Sequence, residues 1–79
     1  MTTTTLTPNL RAAACAAITL QDRHIASAGH HLMHAQLVPD PELRAAHRRL
    51  AEAEALEALA AHLEWAHLTA ARQAREVTA

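Results

Sequence analysis

Seventy-nine residues suffice for one small domain, yet 21 of them are alanine and only 18 are large apolar side chains, with no Phe or Tyr and one Trp. One Gly and three Pro exclude a sandwich or barrel, which needs β-branched and aromatic strands separated by frequent glycine turns. A charged fraction of 19% beside abundant Ala and Leu excludes a disordered chain, and a formal charge of −1 supplies no field toward nucleic acid or an anionic membrane.

Residues 1–7 form a Thr-rich leader, expected to be flexible. Thr7-Pro8 reads as a helix start, a hydroxyl cap followed by proline at the first helical position. From there to Leu37 only Gly29 interrupts a helical pattern, so the first helix is expected over 8–37, with a bend or break near Gly29 as the alternative. Val38-Pro39-Asp40-Pro41 is the strong punctuation of the chain. Pro39 biases Val38 away from helix. Asp40 can cap a second helix whose first position is Pro41, with Glu42 at the positive end of its dipole. The turn is expected over 38–41 and the second helix over 41–76. A connection this short favours antiparallel neighbours. The expected fold is therefore all-α, a two-helix antiparallel hairpin over 8–77 that assembles into a helical bundle.

Helix one carries one apolar stripe at helical spacing: Leu10, Ala14, Ala17, Ile18, Ile25, Ala28, Leu32 and Ala35, interrupted only by Gln21. Cys15, Asp22 and Gly29 flank it at seven-residue intervals, where small residues would permit close helix approach. Helix two carries two stripes. Leu43, Leu50, Trp65 and Leu68 lie on one side with Ala61. Leu56, Leu59, Leu63, Ala70, Ala74 and Val77 lie nearly opposite. A surface helix with a single neighbour shows one apolar face, so two faces imply two neighbours, helix one and a second molecule. Leu43, Leu50, Leu56, Leu59, Leu63, Trp65 and Leu68 are the candidate interface residues. Trp65 fits either a partner's pocket or the hairpin core, because the stripe that meets helix one is undecided.

Seven histidines bring the possibility of metal binding or of charging across mildly acidic pH. His30 and His34 share a face at i,i+4, and a turn near residue 39 would bring His47 back toward His30 and His31; imidazole donors suit Zn, Cu or Ni. Glu64 and His67 form an E-x-x-H pair at the spacing used by ferritin-like di-iron bundles, with Glu57 and Glu54 nearby. Helix one offers no glutamate to complete such a site. A transition-metal site using His30, His34, His47, Glu64 or His67 is therefore the alternative, and no metal or other cofactor is the primary expectation.

Cys15 sits in an alanine run, where a small buried thiol is the ordinary role, and no glycine-rich loop could hold a phosphate. No catalytic residues are assigned. Arg44, Arg48 and Arg49 cluster without an aromatic to stack a base, which disfavours nucleic acid. No run reaches the length of a membrane span. A single Cys gives no internal disulfide, so the cytoplasm is the expected compartment, and the lack of Lys beside so much Ala and Arg fits a GC-rich bacterial or phage genome. The expected protein is a small non-enzymatic helical interaction module, pairing with itself or serving as adaptor or regulator of a larger protein.

Overall fold

The structure, a computed structural model, describes residues 9–78. It consists of two helices, α1 (Leu10–Leu37) and α2 (Pro41–Thr78), packed against each other as an antiparallel hairpin with extents of 64 × 29 × 13 Å. Thr7 and Pro8, the expected helix start, lie outside the described residues. Asn9 is the cap, its side chain accepting the Ala12 N–H at 3.0 Å. Helix α1 runs through Gly29 without a break or a left-handed residue. Gly29 is exposed, and a Cβ added there would meet nothing within 4 Å, so it serves neither as a hinge nor as a point of close approach.

The reversal is built by residues 38–40. Val38 is extended (φ −82°, ψ 123°) and its N–H closes α1 on the His34 carbonyl, as expected of a residue held before proline. Asp40 caps α2: its Oδ1 accepts from the Glu42 N–H at 3.2 Å and its carbonyl from the Arg44 N–H at 3.0 Å. The Arg44 guanidinium donates to the Pro39 carbonyl at 2.9 Å, tying the turn to the first coil of α2.

The contact between the helices is an alanine seam. Among the described residues only alanines are buried: Ala14, Ala17 and Ala35 of α1, and Ala51, Ala58 and Ala61 of α2. One row of buried and half-buried residues on each helix recurs with strict alternation of four and three. In α1 it is Leu10, Ala14, Ala17, Gln21, His24, Ala28, His31, Ala35, then Val38; in α2, Arg44, His47, Ala51, Glu54, Ala58, Ala61, Trp65, Leu68, then Arg72, with Ile18, Ser27, Ala45, Ala46, Thr69 and Ala71 half-buried beside these rows. This 3.5-residue period keeps one face of each helix turned to the other and defines a coiled-coil seam. Small side chains at the crossing points let the helices come close together.

Two parts of the expected α1 stripe lie elsewhere. Ile25 and Leu32 are 52% and 50% exposed, one position outside the seam on one flank, while His24 and His31 occupy the inner positions. Polar residues are tolerated there because they satisfy one another. His24 donates from Nδ1 to Glu54 Oε2 at 2.6 Å, and His62, beside the seam, donates to Gln21 Oε1 at 3.1 Å.

Candidate functional site

The seam settles which stripe of α2 meets α1. Ala61, Trp65 and Leu68 face inward, and the register that pairs His24 with Glu54 and His31 with His47 sets Trp65 and Leu68 level with the first turn of α1. The Trp65 ring stands 5.5 Å from the His62 ring, inclined by 37°. Trp65 is half-buried and fills the open end of the hairpin, where alanine would leave a gap. Leu43 and Leu50, expected on the same side, stand on its flank and are about half exposed.

The opposite stripe is bare. Leu56, Leu59 and Leu63 are 67%, 54% and 60% exposed, and Val77 is 86% exposed. Their spacing repeats the logic of the seam: Leu56, Leu59, Leu63, Ala66, Ala70, Gln73 and Val77 alternate by three and four. Helix α2 thus carries two heptad rows, an alanine row covered by α1 and a leucine row pointing away from it. On the neighbouring flank Ile25 and Leu32 of α1 extend the apolar surface, and a shallow hollow of about 340 Å³ opens there between Ala28, Leu32, Arg48, Ala51, Glu52 and Ala55.

The histidines gather near the turn. His47 Nδ1 lies 3.4 Å from His31 Nδ1, the His34 and His47 ring centres are 5.4 Å apart, and the His30 ring lies tilted by 48° against that of His34 with centres 4.4 Å apart. The sequence pointed to His30, His34 and His47. The structure brings His34 and His47 together, sets His31 against His47 as well, and leaves His30 exposed on the outer face. Among the described residues no three His, Cys, Asp or Glu side chains are already disposed to hold one ion.

The E-x-x-H pair does not become a site. Glu64, His67 and Glu57 are exposed, Glu64 and His67 toward the opposite end of α2 from the histidine group, and Glu54 is engaged by His24. Cys15 is exposed rather than buried, because the seam takes Ala14 and turns residue 15 outward. Arg44 is directed to the turn carbonyl, not to the acidic residues around it. No helix among the described residues is long and apolar enough to cross a membrane. No family model matches the chain, and no curated protein or solved structure is significantly similar to it.

Proposed function

We propose that the chain is a non-enzymatic interaction module that works by helix-on-helix packing, and that the surface it presents, the leucine row of α2, docks a second copy of the same chain to form a four-helix bundle. The supporting observation is the inverted distribution of size: alanine fills the interior while Leu56, Leu59 and Leu63 stand in water. Fixing each residue of a helix costs about 1–2 kcal/mol of backbone entropy, and an alanine seam removes little apolar area in return. A hairpin of this kind gains most of its missing stability when the leucine row is covered.

A second copy fits the surface by size and register. From the level of Leu32 to that of Ala70 this face of the hairpin is about 35 Å long, at 1.5 Å per residue, and about 20 Å wide, the breadth of two packed helices, with Arg48 and Glu52 among the apolar residues near its turn end. That is on the order of 700 Å² per chain, near the ~800 Å² per partner of a standard stable interface. An antiparallel pairing about a two-fold axis at Leu63 sets Leu56 against the second copy's Ala70 and Leu59 against its Ala66. Leu63 meets its own counterpart on the axis, large meets small on either side of it, and the surface is complementary to itself, as an isologous interface requires.

Light scattering of the full chain across a concentration series tests the reading. The expected mass is twice the 8.5 kDa of the chain at high concentration, falling on dilution. A mass of one chain throughout, with helix content intact, refutes self-pairing and leaves a larger protein as the surface's occupant. A cytoplasmic setting is part of the same proposal, consistent with one unpaired Cys.

A further inference from the structure

We infer that His31 and His47 form the core of a divalent transition-metal site that clasps α1 to α2 beside the turn, with His34 as its third donor. The two imidazoles face each other through Nδ1 at 3.4 Å. That separation is long for an N–H···N hydrogen bond, whose good range ends near 3.2 Å. It matches a shared ion: with Zn–N bonds of about 2.0–2.1 Å at a tetrahedral angle, two nitrogen ligands stand about 3.3–3.4 Å apart. Both Nδ1 atoms can offer lone pairs at once if each ring carries its proton on Nε2, so the distance that leaves a poor hydrogen bond supplies a good bite.

The surroundings supply the remaining donors. His34 lies one turn from His31 on α1, and its ring centre is 5.4 Å from that of His47, comparable to the 5.7 Å between the His31 and His47 rings. A side-chain rotation of His34 brings a third nitrogen to the pair, and water completes four-coordination as in open zinc sites. Neutral imidazoles select zinc, copper or nickel over the hard cations magnesium and calcium. Both ligands of the clasp are half-buried and belong to different helices, so the ion would bind the packed pair and not the separated chain. The clasp needs the hairpin alone and is indifferent to whether a second copy covers the leucine row.

Zinc chloride titrated calorimetrically into the full, tag-free chain near neutral pH, with melting followed by circular dichroism, tests it. One zinc per chain is expected, with a melting temperature that climbs as zinc is added, since a ligand specific to the folded state stabilises it. His31→Ala and His47→Ala each place alanine in an alanine seam, so both variants should fold, and each should bind zinc at least tenfold more weakly. His34→Ala should weaken binding as well, whereas His62→Ala and His67→Ala should leave it unchanged. A melting temperature insensitive to zinc, equal affinity in wild type and the His31→Ala and His47→Ala variants, or equal loss in His67→Ala would each overturn the site. Unaltered affinity in His34→Ala would strike out the third donor.

Discussion

Replacing Leu63 by glutamine should dissolve the pair of hairpins without harming the hairpin itself. Leu63 is 60% exposed in the lone chain, on the proposed two-fold axis midway between Leu56 and Ala70 and opposite the seam. Full burial of a leucine contributes about 1.5–3 kcal/mol, so covering the exposed part adds about 1–2 kcal/mol per chain. The two-fold axis places the residue in both halves, which doubles the effect to about 2–4 kcal/mol, a dissociation constant raised roughly 30- to 800-fold. Glutamine has nearly the helix propensity of leucine, so far-ultraviolet circular dichroism at concentrations where both are monomeric should be unchanged. Sedimentation equilibrium gives the constant directly. Leu37→Gln is the matched control: Leu37 is 75% exposed but stands at the turn, outside the row, and its loss should leave association intact. Equal damage from both substitutions would mean that greasiness in general, and not this row, drives assembly; no change from Leu63→Gln would remove the row from the interface.

Three further outcomes test the hairpin. Gly29→Ala should stabilise by about 1 kcal/mol, because alanine is the better helix former and the added Cβ meets nothing within 4 Å; the melting temperature should rise by about 4–8 °C, and a fall would show that α1 needs glycine there. Ala61→Asp should lower stability by at least ~2 kcal/mol, since it puts a carboxylate at a position now 6% exposed; an unchanged melting curve would mean that the seam is not closed at that level. Asp40→Ala should cost about 1 kcal/mol by removing the Oδ1 acceptor of the Glu42 N–H, in line with other N-cap deletions; denaturant unfolding would measure it, and a loss below a few tenths would assign the turn to its two prolines instead.

The architecture was legible because its signals are local. Val38-Pro39-Asp40-Pro41 terminates one helix and starts another through backbone sterics and capping, effects that need no tertiary partner. The presence of two apolar rows on α2 was legible too, since Leu56, Leu59 and Leu63 stand far around the helix from Trp65 and Leu68. The assignment of rows to neighbours was not. Hydropathy ranks Leu56 above Ala58, yet Ala58 is buried and Leu56 is 67% exposed. In a seam this tight, steric fit decides: a leucine at the crossing would hold the helices apart and lose the contacts of every alanine beside it.

The same physics explains why the histidine pair was half visible. Spacing by four drew attention to His30 and His34, neighbours on one helix, and the position of the turn brought His47 toward His30 and His31. It gave no reason to prefer His31, whose nearest apolar neighbours in sequence, Leu32 and Met33, are themselves about half exposed. The usable signal is the heptad shared with alanine. His24 and His31 are seven apart, in step with Ala17 on α1, and His47 and Glu54 are seven apart, in step with Ala61 on α2. A histidine that keeps step with the smallest residues of its helix lies in the seam, where its ring must find a partner across the gap. His24 finds Glu54 at 2.6 Å, a complete hydrogen bond. His31 finds His47 at 3.4 Å, two acceptor-capable nitrogens where one proton serves poorly, and it is that contrast within one seam that separates a structural contact from a place to hold an ion.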